Sequence, residues 1–97
     1  MSWNYRIGTH VFSYKQVFTN NPKLAKMKDQ RLFSIIEVYY DEKGNPNSSA
    51  EAQPTKNWET LEDLTKTLDL LMKAKDKPII DMDNWPNEYK PEENNEK

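Results

Sequence analysis

A chain of 97 residues has the size of one domain and buries about 65% of the surface it exposes when unfolded, which favours one sheet packed on one helix over a deep, enclosed cleft. Only 35% of its residues are hydrophobic while 31% are charged, so the core must come from a few segments and part of the chain is expected as solvated loop or tail. The absence of cysteine removes disulfides, thiolate metal sites and thiol nucleophiles together.

The net charge of −2 is divided unevenly: residues 1–40 carry six basic and two acidic side chains, or +4, and the rest carry eight basic and fourteen acidic, or −6. No stretch approaches the ~20 apolar residues of a membrane span, and no apolar segment near the start is long enough for a secretory signal. The expected location is the cytoplasm, with no membrane contact.

In chain order, Trp3 to Ile7 alternates apolar and polar, the pattern of a strand with Trp3, Tyr5 and Ile7 on one face and Asn4 and Arg6 on the other. From His10 to Phe18 the chain is aromatic and β-branched, consistent with a continued strand or with a second one. Asn20-Asn21-Pro22 marks a turn, and Lys23 to Lys28 fits one helical turn or a basic loop. The clearest strand runs from Leu32 to Tyr40 and stops at Glu42-Lys43-Gly44-Asn45-Pro46. Its even positions, Leu32, Ile36, Val38 and Tyr40, are expected to face the core, leaving Arg31, Phe33, Ile35, Glu37 and Tyr39 on a half-wet face.

Ser48 to Ala52 is expected as a short third strand returning across the Gly44 turn. Thr60 and Asp63 have the spacing of a capping box, and Leu61, Leu64, Leu68, Leu71 and Met72 recur at helical spacing as the face that packs on the sheet. Pro78 ends that helix, Ile79-Ile80 docks back on the core, and the acidic segment beyond Asp83 is expected as a mobile tail. The expected architecture is thus α+β, an antiparallel sheet of three or four strands on one C-terminal helix in the order β-β-β-α. It spans residues 1–83, with 11–30 as an insertion or extended hairpin loop and 84–97 as a flexible tail.

The residues offer little to catalysis. His10 is the single histidine, better read as a strand or turn residue than as a general base, and a Gly-x-Ser-x-Gly elbow is missing. An enzyme would need a pocket gathering His10 with a carboxylate such as Glu37. Gly8 and Gly44 lie too far apart for a phosphate loop. In Asp81-Met82-Asp83-Asn84, Trp85 and Pro86 stand where a calcium loop needs an oxygen ligand and a glycine, so the run reads as a solvated turn. No cofactor or metal site is expected.

A basic stretch, Lys15, Lys23, Lys26, Lys28 and Arg31, with Phe12, Tyr14 and Phe18 alongside, has the ingredients of a single-strand nucleic-acid surface. A pI near 5.4 makes that footprint thin, and the aromatics are equally good core members. The stronger candidate is the sheet face assigned to Arg6, Phe33, Ile35, Glu37 and Tyr39, because one helix covers one side of a sheet and something else must cover the other. Its own insertion, the tail with Trp85 and Tyr89, a second copy in a homodimer, and a foreign partner all qualify. Arg6 and Glu37 are placed to pair across neighbouring strands there.

Trp3-Asn4-Tyr5-Arg6, the run Glu37-Val38-Tyr39-Tyr40-Asp41-Glu42-Lys43-Gly44-Asn45-Pro46, and a leucine-rich helix leading to Lys77-Pro78-Ile79-Ile80-Asp81 together resemble a family of short bacterial and phage proteins, largely uncharacterised. The resemblance covers about two-thirds of the chain, the stretch matching 11–30 being shorter in that family. It implies a β-β-β-α unit with a hairpin at Gly44, and brings no active site. Occurrence on mobile elements further implies interaction with a host, as in a stoichiometric inhibitor of a host enzyme or defence complex. The expected function is therefore a small non-catalytic protein-binding module using Arg6, Tyr14, Phe33, Glu37, Tyr39 and Trp85. The alternative is a nucleic-acid-binding accessory protein using the basic segment.

Overall fold

A computed structural model describes residues 2–53 and 57–91. The chain is α+β, with an open four-stranded sheet in the order β3-β2-β1-β4 and one main helix. Strands β1 (Ser2–Phe12) and β2 (Gln30–Tyr40) form an antiparallel hairpin, in register from Ser2 opposite Tyr40 to Phe12 opposite Gln30. The aromatic stretch after Gly8 thus prolongs the first strand as far as Phe12. Strand β3 (Pro46–Glu51) returns antiparallel to β2 through a turn in which Asp41 Oδ1 accepts hydrogen bonds from the backbone N–H groups of Lys43 and Asn45, both at 2.9 Å. Gly44 sits there at φ +84°, the left-handed region that only glycine enters without strain.

The segment 13–29 closes the β1–β2 hairpin as a small cap of two short helices, α1 (Tyr14–Val17) and α2 (Pro22–Ala25). Ser13 Oγ accepts from Gln16 N–H and Asn21 Oδ1 from Leu24 N–H, each at 3.3 Å, so each helix starts on the polar side chain that favours an N-terminus.

Helix α3 (Leu61–Ala74) begins at Thr60, whose hydroxyl accepts from Asp63 N–H at 3.0 Å. It is followed by β4 (Ile80–Asp81), which pairs parallel with β1 at Gly8 and Thr9. Because β3 and β1 both run antiparallel to β2, β3 and β4 are parallel, and α3 is the crossover that carries the chain over β2 and β1 between them. The expected antiparallel sheet is therefore mixed, its last strand set by the return from the helix.

The faces are assigned the other way round from expectation. Helix α3 lies on the odd-numbered face, where Tyr5, Ala52 and Ala74 are buried with Ile35 and Leu71 against them. On the even-numbered face Ile36, Val38 and Ile80 form a second core with Tyr40, Met82 and Trp85. Adjacent Ile35 and Ile36 make both sides of β2 apolar, so alternation alone does not choose which one meets the helix.

The helix is also turned relative to its leucines. Thr67 and Ala74 are buried and Leu64 and Leu71 half-buried, whereas Leu61, Leu68 and Met72 are 74%, 50% and 58% exposed. At about 100° per residue, the exposed three share one flank, about a quarter turn from the stripe that packs.

Nor does the chain come free after Asp83. A 3₁₀ turn, Met82–Asn84, leads into a strap that folds back on β4: Asp81 N–H donates to Asn87 O at 2.8 Å, Tyr89 N–H to Ile79 O at 2.7 Å, and Val11 N–H to Asp83 Oδ2 at 2.9 Å. Tyr89 lies under the Arg31 guanidinium, 4.5 Å from its ring centroid, and edge-on to Phe33 at 6.3 Å. Composition made this segment look too poor to fold, but it packs on a surface already formed by the sheet. The remainder of the expected tail, 92–97, lies outside the described residues.

Candidate binding surface

The six residues expected to share a surface separate into three groups. Glu37 and Tyr39 stay together on the odd face, with the Tyr39 hydroxyl donating to Glu37 Oε1. Phe33 lies on the same face, 56% exposed, toward the hairpin cap. Arg6 does not join them: it stands opposite Ile36, while Glu37 stands opposite Tyr5, so Arg6 and Glu37 lie on opposite faces and the expected pair is not formed.

Arg6 is instead a structural clamp. Its Nε and Nη2 donate to Pro78 O at 3.2 and 2.6 Å, its Nη1 donates to Tyr40 Oη at 2.9 Å, and that hydroxyl donates onward to Asn4 Oδ1 at 2.9 Å. The clamp holds the exit of α3 against the even face. Lysine offers no forked guanidinium to span both acceptors, so Arg6→Lys is expected to lower unfolding free energy by about 1–3 kcal/mol in urea titration, without changing partner binding at saturating folded protein.

Trp85 belongs to the even-face core, and Tyr14 is held in the cap between Phe12, at 4.9 Å, and Phe18, at 5.8 Å. Both serve as internal packing. The basic set also divides. Lys15, Lys23, Lys26 and Lys28 are exposed on the cap, but Arg31 is committed to Tyr89 and, through Nη1, to Thr9 Oγ1 at 3.2 Å. The cap aromatics pack on one another, Phe12 edge-on to Tyr14 and Phe18, and Tyr14 stacked on Phe18. His10 faces the even side, next to Ser34 and Met82, away from Glu37.

Sequence reasoning missed the neighbourhood of Glu37. Tyr5, Glu37, Glu51, Gln53 and Trp58 line a recess of about 240 Å³ on the odd face, and Trp3 stands edge-on to Tyr5 at 5.1 Å. The register of β1 and β2 places Tyr5 beside Glu37, a pairing that becomes readable only once the hairpin register is known; Trp58 carries no local signal pointing there.

Electrostatics agree with the geometry. Burial, then the charge of Glu37, pushes the Tyr5 hydroxyl above its ordinary pKa, and the hydrogen bond to Glu37 raises Tyr39. A raised tyrosine holds its proton more tightly in the folded state, so its stabilising contribution is complete below pH ~10 and is lost as pH rises through the folded values. Tyrosine ionisation is therefore expected to come later for Tyr5 and Tyr39 in the folded protein than in urea, read by tyrosinate absorbance, with Glu37→Gln moving Tyr39 back.

No family model, curated protein or solved structure matches the chain.

Proposed function

We propose that the chain is a small protein-binding module acting stoichiometrically through its helix-covered side. The observation that carries this reading is the apolar surface left open there: Trp3 at 46% and Phe33 at 56% on the sheet, with Leu61, Leu68 and Met72 along one flank of α3. Isolated exposed apolar side chains are ordinary, whereas a helical stripe of three, with exposed aromatics on the same side of the sheet, has the make-up of a contact surface. Inhibition of a host complex is one form such binding takes.

Nucleic-acid binding is the weaker reading, because Arg31 and the cap aromatics are engaged within the fold. The test is affinity capture from a host lysate at about 150 and 500 mM salt. A protein retained at both concentrations, and lost with Leu68→Asp or Met72→Asp, is the expected result. Retention unchanged by both substitutions, or nucleic acid alone released at high salt, would refute it.

A further inference from the structure

We propose that the recess of Tyr5, Glu37 and Trp58 is an anchor site for one cationic side chain, a lysine or arginine presented by the protein partner. This rests on the protein-binding reading and adds the chemistry of the contact. The recess, about 240 Å³, is smaller than the ~300–1,000 Å³ typical of small-molecule sites and suits a single side-chain head. Its walls combine aromatic rings with a carboxylate, the two groups that attract an organic cation, through the ring quadrupole and through charge-assisted hydrogen bonds.

The carboxylate has capacity to spare. Glu37 is half-buried and accepts from the Tyr39 hydroxyl, while a carboxylate offers about four acceptor positions. Among the described residues the ion pair formed is Lys66 with Glu62, on the helix at 3.6 Å, so no described cation neutralises Glu37. Glu51, on the adjoining edge strand, borders the recess but stands opposite Ile36, so its side chain belongs to the other face and Glu37 is the carboxylate of this one. The basic cap joins the far end of the hairpin, where Val11 faces Arg31, six residues along β2 from Glu37 or roughly 20 Å at the rise of a strand. Among the described residues no cation pairs with Glu37, which leaves its carboxylate to a cation of the partner.

The site is testable without knowing that partner. The full chain, labelled with ¹⁵N, is titrated with Nα-acetyl-arginine amide, Nα-acetyl-lysine amide and neutral Nα-acetyl-norleucine amide at constant ionic strength. Saturable shifts centred on Tyr5, Glu37, Tyr39 and the Trp58 indole are expected with both cationic probes and not with the neutral one, at millimolar affinity. Glu37→Gln is expected to weaken binding about tenfold, Glu37→Asp less, and Glu62→Gln not at all. Equal shifts with the neutral probe, shifts spread over the acidic helix, or unchanged affinity in Glu37→Gln would overturn the proposal. Failure of the probes while Leu68→Asp still abolishes partner capture would remove this site and leave the protein-binding reading standing; retention indifferent to Leu68→Asp and Met72→Asp would remove the reading itself.

Discussion

Ile80→Ala is expected to lower the unfolding free energy by about 2–5 kcal/mol, the range for emptying a fully packed aliphatic site. Ile80 is 2% exposed and closes the even-face core against Ile36 and Val38, with Tyr40, Met82 and Trp85 around it. It stands opposite Gly8 on β1, and a side chain at Gly8 would meet Ile36 Cδ1 at 3.0 Å and Met82 Cγ at 3.1 Å, so this core has little room to collapse into the cavity. Ile79, its half-buried neighbour, is expected to cost less when replaced by alanine. Urea denaturation of the two variants measures the difference, and equal losses would show that β4 does not dock as described.

Ending the chain after Asp81 is expected to have a comparable or larger effect. The segment 82–91 supplies Met82 and Trp85 to the even-face core, Tyr89 to Arg31 and Phe33, and the Asp83 carboxylate to Val11 N–H. Burying side chains of this size stabilises by about 1.5–3 kcal/mol each, partly offset by the entropy of ordering the segment. Relative to a chain ending after Pro91, a loss of at least about 3 kcal/mol is expected by thermal or urea unfolding. A mobile tail would leave the two chains equally stable.

What the sequence made legible follows from the range of each signal. Thr60 and Asp63 announced the start of α3 because a cap is a contact between near neighbours. Gly44 announced the β2–β3 turn because a left-handed residue there favours glycine. The α+β class followed from those elements. Two-sided burial defeated the face assignment: with Ile35 and Ile36 adjacent, only the position of the crossover helix decides which face it covers, and that depends on residues 80–81 finding the edge of β1.

The helix stripe failed for a related reason. Leu61, Leu68 and Met72 look like core by type, yet Thr67 and Ala74 face the sheet, small residues that let the helix approach closely. Thr67 meets the demand of its buried hydroxyl by donating to Asp63 O at 3.0 Å within the helix. Sequence patterns credit large apolar residues and overlook this. The expected surface likewise mixed Arg6 with Glu37 because period-two patterns on separate strands carry no register, and the recess beside Glu37 appears only when Tyr5 is set opposite it.

The most direct measurement of the central claim is hydrogen–deuterium exchange of the chain alone and bound to the protein it captures. Protection on binding is expected along α3 and in β2 from Phe33 to Tyr39, with the cap at 15–28 unchanged. Protection confined to the cap, with α3 exchanging as in the free chain, would contradict the account and move the contact surface to the basic residues.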